Sequence, residues 1–299
     1  MVSKYKASGS MGYFIYTKLY NSCVLPVMNY GAGVWGYLQY NKADTIQNRA
    51  MRTFLGVHRF APVLGLEGDM AWMKLQFKRW LEILRLWNRL ILMRDDRVTK
   101  LIFEYDYSQA LEGKKNWCYD VSNILSKLEL ETVFLNKEVC NLDTAEQILL
   151  RKQEESWRQN IQNKPKLRFY KLFKSSFDTE NYVKFNLTAS QRSVTAQIRL
   201  GILPLQIETG RFRNQKIEDR KCTVCNSGLV EDELHFMFEC NAYEQLRGQW
   251  LNFIISKCED FIYLDIEGQL KYVFETVHRR TSKYIQNCME VRKNVLYMS

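Results

Sequence analysis

Three sulfurs and one imidazole fall within nineteen residues, at Cys222, Cys225, His235 and Cys240, in the spacing C-x2-C-x9-H-x4-C. Few patterns restrict a fold so tightly. Two cysteines separated by two residues form a tight turn that points both sulfurs one way. A returning loop can then bring back a His and a Cys, which the x4 spacing can set on one helical face, to complete a tetrahedron around zinc. Asn226-Ser-Gly228 supplies turn chemistry, and Phe236, Met237 and Phe238 are expected to form a small core around the ion. The competing reading is three buried cysteines and a chance histidine. The chain has only three histidines, so one inside this window is informative. Four protein ligands leave no open position, which predicts one structural Zn2+ per chain rather than a catalytic one. A base deaminase would need His-x-Glu before its Cys pair, the reverse of this order. A thioredoxin-like use of Cys222 and Cys225 would need a βαβ context that the sequence lacks.

The rest of the chain reads as helix. Pro (4) and Gly (14) are scarce among 299 residues, and helix-favouring Leu, Lys, Gln and Arg are common. Residues 77–93 carry the clearest pattern: Phe77, Trp80, Leu81, Leu84, Trp87 and Ile91 recur at helical spacing, opposite Lys78, Glu82, Arg85 and Arg89. Further helices are expected at 12–24, 42–56, 97–110, 116–128, 143–163, 241–257 and 267–296. Thr144-x-x-Gln147 and Thr188-x-x-Gln191 read as capping boxes, and Gly201 as a left-handed helix end. The expected fold is mainly α, a multi-helical bundle with a small C-terminal zinc-binding module. The expected division is a helical domain at 1–163, a basic helical connector at 164–221, and a module of the zinc site and C-terminal helices at 222–299.

Charge is the second constraint. Residues 164–221 hold thirteen Lys/Arg against five Asp/Glu, most of the chain's net +10. Aromatic residues are interleaved with them, among them Phe169, Tyr170, Phe173, Phe177, Tyr182, Phe185 and Phe212. Cations that displace counterions from phosphates, beside rings that stack on unpaired bases, point to RNA or DNA. The candidate contacts are Lys164, Lys166, Arg168, Lys171, Lys174, Arg199, Arg211, Arg213, Arg220 and Lys221. The competing reading places the rings in a core and the charges on a solvated face. The five scattered cysteines read as reduced thiols. No apolar run reaches the roughly 18 residues of a membrane span, and Tyr13–Tyr20 lacks a cleavage pattern. An intracellular protein, nuclear or cytoplasmic and not secreted, is expected, with no membrane partner and no small-molecule substrate.

The cysteine-histidine spacing, preceded by Ile198-Arg-Leu-Gly201-Ile-Leu-Pro-Leu205 and Gly210-Arg-Phe212, resembles the zinc-binding region near the C-terminus of reverse transcriptases of non-LTR (LINE-type) retrotransposons. Leu25-Pro-Val-Met-Asn-Tyr-Gly31, Val34-Trp35, Ile46-Gln-Asn-Arg49 and Arg52-Thr-Phe-Leu-Gly56 resemble the helical region that follows the polymerase palm in the same proteins. The resemblance implies a nucleic-acid-binding C-terminal part, with the remainder of such a polymerase as its partner. The catalytic core is missing. Asp95-Asp96 has no aromatic two residues before it and reads as an exposed helix end. No Pro-Asp…Glu-x-Lys nuclease pattern follows the zinc site; Asp265 and Glu267 are isolated. No enzymatic activity is therefore expected. Gly31-Ala-Gly-Val-Trp-Gly36 matches a dinucleotide fingerprint, but Pro26 interrupts any preceding strand, so it reads as a turn. The alternative function is a helical protein-interaction scaffold, or an inert folded retroelement remnant with a structural zinc.

Overall fold

The computed structural model describes residues 11–297. Among them the chain forms helices and turns, with one isolated antiparallel bridge between Lys221 and Val230 and no strand. None of the helices is long and apolar enough to cross a membrane. The helices of eight residues or more are α1 Asn41–Leu55, α2 Val63–Met70, α3 Leu75–Ile91, α4 Val98–Leu111, α5 Trp117–Lys127, α6 Leu142–Gln162, α7 Ala189–Arg199, α8 Glu244–Ile255, α9 Ile266–Glu275 and α10 His278–Tyr297.

The chain forms two compact units, and neither follows the linear division expected from the sequence. Among the described residues, one unit holds 11–18, 48–71 and 157–297; the other holds 19–47 and 72–156. Composition marks a boundary near 163, but side-chain partners decide the grouping, and they come from segments far apart in the chain.

The unit of 19–47 and 72–156 is built on α3. Its apolar stripe buries Trp80, Leu81, Leu84 and Trp87, while Arg85 and Arg89 stay exposed. Trp87 stacks on Phe134, with ring centres 5.5 Å apart, and meets Phe103 edge-on at 5.4 Å. Its indole N–H donates to the Glu138 carbonyl at 2.9 Å, so the ring is buried without an orphaned donor. The start of α3 is satisfied from outside the helix: fully buried Gln153 accepts from Lys74 N–H (3.0 Å) and donates to the Trp72 carbonyl (2.9 Å). The Gly31–Gly36 run is a turn and a short helix, Ala32–Trp35, with no strand before it. Its glycines serve packing: a Cβ on Gly33 would press on the Glu82 carbonyl of α3 at 3.2 Å. Asp95 and Asp96 lie in the exposed turn after α3, where Asp96 pairs with Arg94 at 2.6 Å.

The other unit is organised around a buried ion network. Arg199, the last residue of α7, has no solvent exposure. It donates to Asp69 (2.9 Å) and pairs with Glu180 (2.9 Å), inside a cage formed by the rings of Tyr170, Phe173, Tyr182 and Phe274. Tyr170 and Tyr182 donate their hydroxyls to the same Asp69 carboxylate, at 2.9 and 2.5 Å. Lys174 is also buried and pairs with Glu180 and with Asp178. Two carboxylates, Asp69 and Glu180, thus face two cations, Arg199 and Lys174, and the core stays neutral.

Two local expectations hold in detail. Thr188 and Gln191 form a reciprocal capping box, and Gly201 closes α7 at φ +63°. A side chain there would collide with the Lys166 carbonyl. Three details differ. The expected 143–163 helix begins at Leu142, and Asn141 rather than Thr144 accepts the N-terminal N–H. The expected 12–24 helix is α-helical only over Tyr13–Leu19 and continues as a π turn at Tyr20–Val24. The expected 267–296 helix is broken between α9 and α10, because the Thr281 hydroxyl and the His278 ring engage the Val273 and Glu275 carbonyls.

Replacing Arg199 with Met keeps volume but leaves Asp69 buried without its guanidinium. The expected loss of stability is about 3–5 kcal/mol, read as a lowered denaturant midpoint at unchanged m-value.

Candidate metal centre

The four sequence-singled ligands converge. One donor atom from each of Cys222, Cys225, His235 and Cys240 lies within 4.8 Å of the others. Cys222, His235 and Cys240 are buried and Cys225 is half-buried. The set is suited to a single metal ion.

Backbone turns build this arrangement. Cys222 N–H donates to the Leu229 carbonyl (2.8 Å), and Glu231 N–H to that of Arg220 (2.9 Å), closing a short hairpin across the Lys221–Val230 bridge. Its tip needs left-handed backbone, supplied by Asn226 (φ +52°) and Gly228 (φ +76°). The Asp232 carboxylate accepts from His235 N–H at 2.8 Å and starts the returning turn.

The His235–Cys240 spacing is where the sequence reading needs correcting. Five residues of α-helix would set the two side chains about 140° apart. The chain instead makes a π turn over His235–Glu239, closed by Cys240 N–H to the His235 carbonyl at 2.8 Å. The wider turn returns Cys240 beneath His235. The imidazole then presents Nε2 to the cluster, 3.4 Å from Cys225 Sγ, and Nδ1 to Glu239 at 3.5 Å. Nδ1 is buried without a hydrogen bond, so the largely exposed Glu239 acts on the ring through its charge alone.

The sulfurs already share protons unequally. Hydrogen bonding with Cys240 pulls the Cys222 thiol down to about 4, against desolvation and with help from the Cys225 and Val224 N–H groups. The same hydrogen bond pushes Cys240 up. Desolvation opposes ionisation of Cys225, yet the Ser227 hydroxyl and N–H hold that thiol below its ordinary value. His235 is raised despite desolvation, because the thiolates of Cys222 and Cys225 face it. Thiols and an imidazole held this close offer a cation ligands whose protons its binding can displace.

Phe236 and Met237 pack behind the ligands, as expected, while Phe238 is half-buried against Trp250. The helices that follow the centre hold it in place. Tyr284 of α10 donates to the Met237 carbonyl (2.7 Å), and Arg247 of α8 to that of Cys240 (2.8 Å). Glu231, buried beside Cys222 Sγ at 3.6 Å, is paired with Arg292 of α10 and accepts from Gln206 N–H at 2.8 Å.

The expected nucleic-acid residues divide. Arg199 and Lys174 are removed from any surface, because the ion network around Asp69 and Glu180 encloses them. Lys166 and Arg168 are half-buried and held by Glu208 (2.5 Å) and Glu233 (2.6 Å). Arg220 is half-buried and clamps the Gln215 and Ile207 carbonyls. Lys164, Arg211, Arg213 and Lys221 are exposed, and Lys171 is half-exposed. Of the interleaved rings, Phe169, Tyr170, Phe173 and Tyr182 are core and Phe177 is half-buried; only Phe185 and Phe212 face solvent. The sequence reading missed the exposed cations of α10: Arg279, Arg280, Lys283 and Lys293. Their signal was present as four basic residues against one acid, Glu290, on the outer face of a helix.

No protein-family model, no curated protein and no solved structure matches the chain.

His235→Ala should abolish stoichiometric metal binding, as read by elemental analysis of the purified protein. Glu239→Gln, which keeps all four ligands, should weaken binding by about tenfold, as read by competition against a chelator.

Proposed function

We propose that the chain binds single-stranded nucleic acid beside a structural zinc site, as the C-terminal part of a retrotransposon-type reverse transcriptase without chemistry of its own. Three thiolates and an imidazole suit zinc, and a tetrahedron filled by protein gives the ion a structural role. Cys222, Cys225, His235 and Cys240 would hold the ion, which would tie the hairpin to the returning turn.

One observation carries the binding reading. Phe212 is 73% exposed, between exposed Arg211 and Arg213, on a single turn of 3-10 helix at Gly210–Arg213. Glu208 holds Arg211 at 2.9 Å, and exposed Lys216 and Lys221 follow, the latter leading into Cys222. A ring offered to solvent among cations matches a base-stacking platform beside a phosphate track. The metal hairpin fixes the chain exit at Lys221, so zinc acts by positioning. Most of the remaining basic connector is not available to a ligand, which concentrates the contact here.

A protein-contact role is the second reading. It is favoured by α4, whose Val98, Leu101, Ile102 and Tyr105 form an exposed apolar stripe at helical spacing.

Replacing Arg211, Arg213, Lys216 and Lys221 together with Gln should flatten the slope of log affinity against log salt for single-stranded RNA by about two to four units. Metal content and the unfolding midpoint serve as fold controls. An unchanged slope in the folded, metal-replete variant would transfer the role to protein contact.

A further inference from the structure

A groove of about 520 Å3 runs alongside the metal hairpin. Its walls come from three places: Pro204, Gln206, Thr209 and Arg213 before the metal centre, Thr223 within it, and residues 289–297 of α10. No carboxylate lines it. The nearby acid, Glu231, lies buried behind the wall and is occupied by Arg292 and by Gln206 N–H. The rim therefore carries two exposed cations, Arg213 and Lys293, with no lining acid to oppose them. The interior divides by chemistry: Met289 and Leu296 of α10 give an apolar side, and the Gln206 amide with the Thr209 and Thr223 hydroxyls gives a polar one. Tyr297 stands at the end, 79% exposed.

We propose that this groove seats one unstacked nucleotide of the bound strand, and this assignment rests on the nucleic-acid reading above. The base lies against Met289 and Leu296, with Tyr297 as an outer platform. Its hydrogen-bonding edge faces Gln206 and Thr223. The flanking phosphates face Arg213 and Lys293. The volume falls within the range of small-ligand pockets, about 300–1,000 Å3. The charge selects a polyanion, and the apolar side selects a base over a bare phosphate. Phe212 neighbours Arg213, so one strand can meet the exposed ring and then the groove. Thr223 sits between the ligand Cys222 and Val224, so the metal hairpin forms one wall directly.

The test uses the full zinc-loaded chain and a ten-nucleotide RNA carrying one 5-iodouridine. Photocrosslinks should map to the 289–297 peptide. Met289→Trp fills the groove and should remove those crosslinks and weaken affinity about tenfold, with the salt slope unchanged. Lys293→Gln, on an exposed side chain that leaves the fold alone, should lower the slope by about 0.7. Crosslinks that map elsewhere, with affinity and slope unchanged in both variants, overturn the groove and leave the wider reading standing. Absence of RNA binding by the unaltered protein at low salt overturns both. Uridine monophosphate competing as tightly as the ten-nucleotide RNA overturns the assignment to a strand.

Discussion

A guanidinium stripped of water is costly unless carboxylates and rings stand in for the solvent. Arg199 imposes that demand, and much of the metal-bearing unit answers it. Asp69 comes from α2, Glu180 from just before the short helix Asn181–Lys184, and the ring cage from residues 170, 173, 182 and 274. Each was brought there at a desolvation cost that only close pairing offsets. Fixing Arg199 fixes the end of α7, and Gly201 then turns the chain tightly over the Lys166 carbonyl. From that turn a series of ion pairs continues toward the hairpin: Lys166 with Glu208, Arg168 with Glu233, Arg292 with Glu231. The metal ligands are thus presented by a charged scaffold whose anchor is a buried arginine.

This arrangement changes the meaning of the basic segment. A count along the chain finds a large positive excess at 164–221, and a count alone treats all its cations as equivalent. Folding divides them. Those facing Asp69, Glu180, Glu208 and Glu233 act on the protein itself. The exposed ones, among them Lys164, Arg213, Lys216 and Lys221, act on whatever approaches from solvent. A buried cation in a neutral network projects little field, so the outward charge is more localised than the sequence suggests.

What the sequence revealed was governed by near neighbours. The α3 stripe repeats within one helix, the Thr188–Gln191 box spans three residues, and the ligand quartet spans nineteen. What it concealed depended on distant partners or unusual turns. Arg199 and Lys174 looked like surface cations because Asp69 lies 130 residues from Arg199 and the cage rings are dispersed. The aromatics of 169–182 share their spacing with a stacking surface, and only burial separates core from platform. The π turn at His235–Glu239 leaves no mark in residue type, and the break between α9 and α10 needs two side chains to capture carbonyls. The basic face of α10 was legible but lay outside the charge-rich stretch that drew attention.

The separation between Asp69 and Arg199 also sets an order of assembly. The carboxylate belongs to the first quarter of the chain, whereas its guanidinium arrives after residues 72–156 have formed a unit with its own apolar core. Until α7 is made, α2 and the segment at 48–71 lack their counter-charge and their cage. Closing that long loop makes this core a high-contact-order, late and slow event relative to the local helices around Trp87. A chain ending before residue 199 lacks the guanidinium that pairs with Asp69.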